Sequence, residues 1–372
     1  MKIALLPGLR FHSDQYINKI NKINHQINLK VYSTSPFSKF KGLEKNQYSF
    51  TPLPLKILSR ISKINIGPKL KEIDAHIYEN LVKIKLPNLN PDIIHGWATF
   101  SLTSFINNKN KIKILERSCP HVLSQIDSLN TEYKKLNIKY IMPSKKFIQK
   151  QLNEYKYADK IIVPSNFTKK SFIKNGINQS KIKVINLSSN NKIIKSYKSR
   201  NKDKIIFGFC GGALIRKGLF YLLEAWSRLD IKKNRELWLR CNVENILAIP
   251  KLKKIYQSRK DIKVIKYTNN LNEFYSSIDI LIHPAIEEGF GMVVLEAIKH
   301  GVPVSITNAV GAKDVLSDKD YFLLDGLNIS NSIFEILNQD RSFFENISQN
   351  INQKKYDEIE NKMTNEFNEL YS

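Results

Sequence analysis

The chain has 372 residues, enough for two domains of ordinary size, and a formal net charge of +25. No apolar run approaches the roughly 20 residues of a membrane-spanning helix, and Pro7 interrupts the first apolar segment too early for a signal peptide. Three scattered cysteines without metal-binding spacing indicate a reduced, cytoplasmic protein. These features argue against an integral membrane protein and against a disulfide-stabilised secreted module.

The positive charge is confined to the first half of the chain. Residues 1–200 contain 36 Lys and Arg against 11 Asp and Glu, whereas residues 201–372 contain 23 of each class. Abundant Lys, Asn and Ile point to compositional drift as one explanation, but the second half is balanced despite a similar bias. The alternative is that the basic half attracts an anionic lipid surface or a phosphorylated acceptor.

Short apolar runs typical of buried strands alternate with amphipathic segments along the first half. They cover residues 3–6, 29–32, 91–95 and 111–115, with a strand-to-loop unit at 160–165. A helix is expected from about residue 13. The polar, aperiodic stretch 186–203 is predicted to be a linker. This alternation of strand and helix predicts a parallel sheet with helices on both faces.

A second series of the same kind begins after the linker. Its apolar runs cover residues 205–210, 237–240, 262–265, 278–282 and 302–306. The tail from Ile333 has helical spacing and is predicted to form two helices. The fold class is therefore α/β, with two doubly wound, Rossmann-like parallel-sheet domains that face each other across a cleft. Ligands of such sheets bind at the carboxyl ends of strands.

Residues 280–304 form the most informative segment: strand, glycine loop, helix, stop, strand. Glu288 stands at the mouth of the helix, and Gly289 and Gly291 would let the backbone approach a ligand closely. The free N–H groups there suit a phosphate. Glu296 lies on a helix that is apolar nearly all round, so it needs a protein cation or ligand hydroxyls as partner. A capped structural helix with a satisfied acid is the alternative.

The glycine-rich segment 208–218 follows the first strand of the second series and enters a clear helix at 219–226. Its cations, Arg216 and Lys217, suit a diphosphate, because arginine offers a planar fork and lysine a point charge. The spacing matches neither the P-loop nor the dinucleotide fingerprint. A cationic turn on the protein surface is the structural alternative.

The 280–304 segment resembles the signature of the family 4 retaining glycosyltransferases, a Glu-x7-Glu motif written E-G-F-G-x-x-x-L-E-A. Both glutamates, both glycines and the following G-x-P-V are present. The resemblance implies the GT-B fold and retaining, metal-independent transfer of a sugar from a nucleotide-diphosphate sugar, UDP- or GDP-linked, without a cofactor. It implies that Glu288 holds sugar hydroxyls and Glu296 ribose hydroxyls. The implied donor-binding set is Gly212, Arg216, Lys217, Glu288, Gly289, Phe290, Gly291, Met292 and Glu296.

Two further segments carry the resemblance, which runs from about residue 91 to 314. In the donor-phosphate segment, Gly212 occupies the position of the usual arginine, which leaves open whether Arg216 assumes its role. The run 116–121 resembles a branch with the pattern E-R-x-x-x-H, which implies that His121 lies near the transferred sugar; a surface loop histidine is the alternative. His95 competes with it and is expected to shape the cleft floor, whereas His283 is expected to pack. Ser165 is expected to cap a helix.

The resemblance also assigns the domains. Residues 1–190 would bind the acceptor, 191–203 link, and 204–351 bind the donor, with a helix at about 352–372 that could pack back on the first domain. The acceptor would be a glycan or lipid-linked molecule of the cell envelope, in polysaccharide or lipopolysaccharide synthesis. The protein would be cytoplasmic and would not bind nucleic acid. It could lie peripherally on the inner face of the membrane through residues 1–200.

Two rival functions stay open. One is another enzyme of the same fold, such as a nucleotide-sugar epimerase, because fold does not fix function. The other is a non-enzymatic, basic nucleic-acid-binding protein, although the sequence shows no known module and no aromatic side chains interleaved with the cations. A glycosidase with two carboxylates is less suitable, since hydrolases have no use for a phosphate site.

Overall fold

The computed structural model describes residues 1–8, 27–33, 47–49, 68–189, 204–212, 215–230, 234–265 and 271–371. The helix expected near residue 13, most of the acceptor region at 10–90 and the linker at 191–203 lie outside the described residues. Two parallel sheets carry the described fold. Within those residues, no helix is long and apolar enough to cross a bilayer.

The first sheet has the strand order β3-β2-β1-β4-β5-β6-β7, and every neighbouring pair is parallel. Its strands are β1 (Lys2–Gly8), β2 (Asn28–Ser33), β3 (Gln47–Ser49), β4 (Ile93–Trp97), β5 (Ile112–Glu116), β6 (Lys160–Val163) and β7 (Ile182–Val184). The chain order reverses between β1 and β4, so the carboxyl ends of these two strands form a crevice.

Helices connect these strands. They are α1 (Pro68–Lys85), α2 (Leu102–Asn107), α3 (Val122–Lys135), α4 (Lys145–Tyr157) and α5 (Asn166–Lys174), with short 3-10 helices at Leu86–Asn88 and Gln179–Lys181. Side chains begin three of them: His121 caps α3, Ser144 caps α4 and Ser165 caps α5 by accepting a backbone N–H two or three residues ahead. The expected capping role of Ser165 is thus confirmed.

The second sheet has the order β10-β9-β8-β11-β12-β13 and is also parallel. Its strands are β8 (Ile205–Cys210), β9 (Arg235–Arg240), β10 (Ile262–Val264), β11 (Ile280–His283), β12 (Val304–Thr307) and β13 (Tyr321–Leu324). The chain order reverses between β8 and β11. The predicted class, two doubly wound α/β domains, is confirmed.

The helices of the second half complete the description. They are α6 (Leu219–Ser227), α7 (Val243–Leu247), α8 (Pro250–Ser258), α9 (Leu271–Ser277), α10 (Met292–Lys299), α11 (Ile329–Leu337), α12 (Arg341–Asn350) and α13 (Gln353–Tyr371), with a 3-10 helix at Gly311–Val315. The tail was expected to hold two helices, but three helices occupy residues 329–371. Extended backbone at Asp340 and Ile351 separates them.

The last helix packs against the first domain. The Tyr371 hydroxyl and His95 Nδ1 share a hydrogen bond of 2.5 Å, and Lys183 Nζ lies 3.0 Å from a carboxylate oxygen of Glu369. Tyr371 and Met363 are buried in the core that the first sheet shares with α10. The C-terminus therefore crosses from the second domain to the first and ties the two together.

The strand limits differ slightly from those expected. β4 runs through Gly96, where a loop was predicted, because Gly96 pairs with Leu6 of β1 and Leu115 of β5. A side chain at this position would collide with Ser101. β12 begins at Val304, two residues later than predicted, because the left-handed Gly301 and Pro303 keep the chain out of the sheet. These shifts leave the order of elements and the loops at the strand ends unchanged.

Candidate active site

Two loops meet at the carboxyl ends of β8 and β11, the central pair of the second sheet. The loop after β8 leads through 211–218 into α6, and the loop after β11 leads through 284–291 into α10. They are joined by the Ile286 N–H, which donates to the Arg216 carbonyl at 2.9 Å. Gly218 has φ +71° and lies so close to the Pro284 carbonyl that a Cβ would collide with it. The two loops are therefore held in one fixed arrangement.

Cations from the first loop converge on the first glutamate of the motif. Lys217 forms an ion pair with Glu288 Oε2, and Arg216 Nη1 lies 3.5 Å from the same oxygen. Arg216 also donates to the Glu287 carbonyl at 3.1 Å. The side chains of Lys217 and Glu288 are each only 12% exposed. The alternative of a solvated surface turn is therefore wrong for this segment.

The local field favours loss of the Lys217 proton. Burial and the neighbouring Arg216 guanidinium lower the pKa of Lys217 to about 7, while the Glu287 carboxylate acts in the opposite direction. His283 is fully buried, and its Nε2 lies 3.8 Å from Glu288 Oε2. Burial and the two cations lower the pKa of His283 well below its usual value, so this imidazole is neutral at pH 7.

The mouth of α10 is shaped by contact with the other domain. The Gly289 carbonyl accepts from Ser165 Oγ at 2.6 Å and from Thr168 Oγ1 at 3.3 Å. A side chain on Gly289 would collide with the Ser118 carbonyl. This glycine, expected to admit a ligand, is thus already required by the close approach of the first domain. Gly291 is left-handed at φ +98° and stands at the N-cap of α10.

Phe290, Met292 and Gly212 differ in their surroundings. Phe290 is buried and its carbonyl accepts from Ala312 N at 2.6 Å, which fixes the loop, whereas Met292 is half-buried at the first turn of α10. Gly212 is exposed, and no atom of the described residues beyond its chain neighbours lies within 4 Å of the position of a Cβ there.

Glu296 is half-buried, as are Met292 and Val293 on the same helix, and not fully buried as its apolar helix suggested. The Tyr275 hydroxyl donates to Glu296 Oε2 at 2.7 Å. Burial raises the pKa of Glu296, and Tyr275 and the nearby Arg240 oppose this rise. Tyr275 and Arg240 therefore supply the partner that the sequence analysis predicted the Glu296 carboxylate to need. Arg240 ends β9, so it belongs to the same edge of the sheet.

His121 lies at the start of α3 and is 1% exposed, so the alternative of a surface histidine is wrong. Its Nδ1 accepts the Leu123 N–H at 3.3 Å, and its ring packs against Tyr155 and Phe172. Burial, followed by the charge of Arg117, lowers the pKa of His121 to about 4. The imidazole is neutral at pH 7, and with Nδ1 accepting, the proton belongs on Nε2.

One turn along α3, the first domain contacts the motif loop directly. Gln125 Nε2 donates to Glu287 Oε2 at 2.8 Å, and Arg117 Nη2 donates to Gln125 Oε1 at 3.0 Å. The Glu287 side chain is almost fully buried, and Oε1 has no hydrogen-bond partner among the described residues. Sequence reasoning missed Gln125 and Glu287, and it gave Arg117 only as a member of the E-R-x-x-x-H pattern. The doubled acid at 287–288 was the available signal, but only Glu288 belongs to the motif.

The remaining histidine of the sequence analysis lies elsewhere. His95 is fully buried, stacks on Trp97 and shares a hydrogen bond with Tyr371. It therefore anchors the C-terminal helix, and this contact gives it a packing role. In the described part of the chain, no group of three or more His, Cys, Asp or Glu side chains has an arrangement that could hold a metal ion.

The chain resembles several known proteins. Residues 190–353 match the family model described as Glycosyl transferases group 1. An "Uncharacterized 41.2 kDa protein in cps region" of Klebsiella pneumoniae is 29% identical over 283 residues, 72% of this chain and 74% of that protein. The "Capsular polysaccharide biosynthesis glycosyltransferase CapM" of Staphylococcus aureus is 27% identical over 218 residues, 55% of either chain.

Solved structures share the whole fold. WaaG, a glycosyltransferase involved in lipopolysaccharide biosynthesis, aligns with a TM-score of 0.69 and 14% identity, over 100% of this chain and 99% of its own. Anabaena Alr3699/HepE, solved in complex with UDP, aligns with a TM-score of 0.67 and 16% identity, over 100% of this chain and 99% of its own. At such identities the likeness shows the fold alone, and that fold is GT-B.

Proposed function

Because residues 190–353 match the model of the group 1 glycosyltransferases, we propose that this GT-B chain transfers a sugar from a nucleotide-diphosphate sugar to a glycan or lipid-linked acceptor. The reaction retains the anomeric configuration and serves the synthesis of a cell-envelope polysaccharide. Support for the pathway comes from relatives named for capsular polysaccharide, O-antigen and lipopolysaccharide synthesis.

The observation that carries the proposal is the convergence of Arg216 and Lys217 on Glu288 at the mouth of α10. Negative charge grows on the leaving diphosphate as the glycosidic bond breaks, and prepositioned cations and backbone N–H groups lower the energy of that state. A donor diphosphate competes with Glu288 for Lys217. Once Lys217 turns to the phosphate, the Glu288 carboxylate is free to accept hydroxyl groups of the sugar.

Glu296 is suited to the ribose of the donor. A carboxylate can accept two neighbouring hydroxyls at once, and Tyr275 fixes its orientation from one side. The half-buried position beside Arg240 favours hydrogen bonds over contact with bulk water. Glu288 lies in the loop just before α10 and Glu296 lies on the second turn of α10, so one loop-and-helix unit would hold both the sugar and the ribose.

His121 is proposed to act near the transferred sugar. Its neutral ring, with the proton on Nε2, can donate to a sugar hydroxyl or to a developing negative charge. Its position on α3, one turn from the Gln125 contact with Glu287, places it on the element of the first domain that reaches the donor loop. Arg216 and Lys217 supply the charge that other transferases take from a metal ion, so the proposed reaction is metal-independent.

The first experiment is binding of UDP, GDP and ADP by calorimetry. We expect one nucleotide to bind the wild type and to lose about tenfold to a hundredfold in affinity in Glu296→Ala, since a charged hydrogen-bond acceptor is removed. The crystal structure of HepE in complex with UDP makes UDP the leading candidate. Glu335→Ala, an exposed carboxylate of the same domain, is the matched control and should bind like the wild type.

Two outcomes separate the proposal from its rivals. Failure of the folded protein to bind any of the three nucleotides would remove the transferase function. Interconversion of a nucleotide sugar without an acceptor, followed by nuclear magnetic resonance, would instead identify an epimerase. In a productive reaction, the anomeric coupling constant of the first-formed product reports retention or inversion directly.

A further inference from the structure

A stretch of the first domain carries an unusual charge pattern. Residues 133–153, here the lysine segment, contain six lysines and no acidic residue. In the structure they form the end of α3, the loop 136–144 and most of α4. Lys134, Lys135, Lys139, Lys145 and Lys146 are exposed. Among the described residues only the sixth, Lys150, forms an ion pair, at 2.7 Å from Glu79.

The loop of the lysine segment also exposes two large apolar side chains. Ile141 is 64% exposed and Met142 is 51% exposed, between Lys139 on one side and Lys145 on the other. The loop is anchored at both ends. Tyr133 and Tyr140 pack with ring centroids 5.0 Å apart, and Ser144 Oγ donates to Glu72 Oε2 at 2.7 Å. The apolar pair is therefore held outward in water by an ordered loop, at a cost in free energy.

An apolar groove adjoins this loop. It has a volume of about 800 Å³ and lies between α1, α2 and the lysine-rich face of α4. Ile73, Leu102 and Phe147 contribute its apolar lining, and Lys146 and Lys150 stand at its edge. The carboxylates of Glu72 and Glu79 line the groove as well, and Glu79 pairs with Lys150. The exposed apolar surface of the loop thus adjoins an apolar recess that has both cations and carboxylates in its lining.

The lysine segment borders the donor site. The preceding helix α3 supplies the Gln125 contact with Glu287, and Leu136 packs against the core of the second domain. Burial raises the pKa of Tyr140, and the charge of Glu287 raises it further, which places the Tyr140 ring within the field of the motif loop. A surface that the lysine segment touches is consequently close to the site of transfer.

We propose that the lysine segment docks the protein on an anionic lipid bilayer. Ile141 and Met142 enter the interface between headgroups and acyl chains, and the five exposed lysines face lipid phosphates. The docking itself is independent of catalysis. That it brings a lipid-linked acceptor to the cleft rests on the proposed function. A bilayer is favoured over nucleic acid for two reasons. Aliphatic side chains such as Ile141 and Met142 gain no free energy of burial from a nucleic acid, which offers no apolar phase to them. Proteins that bind single strands stack aromatic rings on the bases, whereas the two exposed side chains here are aliphatic.

The test is flotation of the full chain with vesicles. Vesicles of phosphatidylglycerol and phosphatidylcholine should bind the wild type, and pure phosphatidylcholine vesicles should bind it weakly. The triple variant Lys139→Gln, Lys145→Gln, Lys146→Gln should lose about a hundredfold in partition, given the contribution of each lysine near an anionic surface. Ile141→Ser with Met142→Ser should lose about tenfold, since two partly inserted side chains are removed.

Matched controls lie in the second domain. Lys253→Gln, Lys254→Gln, Lys260→Gln removes three exposed lysines there, and Leu247→Ser with Leu327→Ser removes two exposed apolar side chains. Both controls should float like the wild type. All variants should bind the donor nucleotide like the wild type in the absence of vesicles, which shows that they are folded.

The outcomes distinguish docking from the proposed function. A wild type that binds nucleotide but no anionic vesicle would overturn the docking proposal and leave the transferase proposal standing. Vesicle binding without nucleotide binding would overturn the transferase proposal and leave the docking proposal standing. Unchanged flotation of the lysine variant would also overturn docking. Docking would also be overturned if the wild type bound a short RNA or DNA duplex and the lysine variant lost that binding while it still bound vesicles. The lysine segment would then bind a nucleic acid.

Discussion

Both domains contain a doubly wound sheet, and they differ in where they hold their charged side chains. The second domain directs cations and carboxylates inward, where Arg216, Lys217 and Glu288 lie in contact with little exposure to water. The first domain holds its charge outward, on lysines such as Lys139 and Lys145 that lack such partners among the described residues. The same fold therefore supports a buried site that suits the diphosphate of a donor and an exposed surface that suits an anionic bilayer.

This contrast also explains the charge distribution of the sequence. A buried cation needs a carboxylate nearby when no anion is bound, so the charges of the donor site are balanced. Exposed lysines that face an anionic surface need no internal partner. The balanced second half and the basic first half of the chain agree with these two requirements, although compositional bias also contributes lysines.

The largest effect is expected at the inward-facing cations. Lys217→Ala should lower the rate of sugar transfer about a hundredfold to a thousandfold, as removal of one preorganised group at a developing charge commonly does. Steady-state kinetics with the identified donor measures the effect. Lys253→Ala, on the exposed face of α8, provides the control and should retain wild-type kinetics. Comparable losses in both variants would remove the distinction between inward and outward lysines.

The pH dependence of nucleotide affinity sharpens the same distinction. The lowered pKa of Lys217, about 7, means that its charge is present below pH 7 and is lost above it. Affinity for a nucleoside diphosphate should therefore fall, by up to about thirtyfold between pH 7 and pH 9, within the limit of tenfold per pH unit set by one proton. Calorimetry over this range measures it. Lys217→Arg should flatten the profile, and a flat wild-type profile would contradict the lowered pKa.

A smaller effect is expected where the domains meet. Gln125→Ala removes the hydrogen bond to Glu287 and should lower kcat/KM about tenfold, the value of one bond to a charged group. Nucleotide affinity should change less than kcat, since the nucleotide is held by the second domain. Gln339→Ala, in the second domain, is the control. Equal losses in affinity and kcat would show that Gln125 acts only through binding.

The smallest effect concerns the helix that joins the domains. Tyr371→Phe removes the hydroxyl that bonds His95 and leaves the ring packing in place. The free energy of unfolding should fall by about 1 kcal/mol, or somewhat more because the buried imidazole loses this hydrogen bond. Urea unfolding measures the change, with Tyr157→Phe, an exposed tyrosine, as the control. No change in the midpoint would show that the helix is held by packing alone.

The motif and its consequences could be predicted from the sequence, because they depend on short-range order. Glu288, the glycines and Glu296 stand in one strand-loop-helix unit, so their spacing fixes their relative positions. The need of Glu296 for a partner was also predictable, since its helix is apolar. That the partner includes Tyr275 was not, because Tyr275 lies on another helix and nothing in its local sequence marks it.

Contacts between domains were beyond the reach of the sequence for the same reason. Gln125 and Glu287 are 162 residues apart, and a glutamine within an amphipathic helix carries no signal of its own. Gly289 was expected to let a ligand approach, yet a glycine is already needed there because the Ser118 backbone of the other domain leaves no room for a side chain. The degree of exposure of Ile141 and Met142 was equally unreadable, because an apolar pair in a loop is as compatible with burial as with display.

The most direct test of the account compares two nucleotides that differ by one phosphate. Affinities of the identified nucleoside diphosphate and of its monophosphate are measured by calorimetry for the wild type and for Lys217→Ala. If Arg216 and Lys217 hold the donor diphosphate, the substitution lowers diphosphate affinity about a hundredfold and monophosphate affinity only a few-fold. Equal losses for both nucleotides, or no loss for either, would contradict the placement of the diphosphate at Lys217 and Glu288.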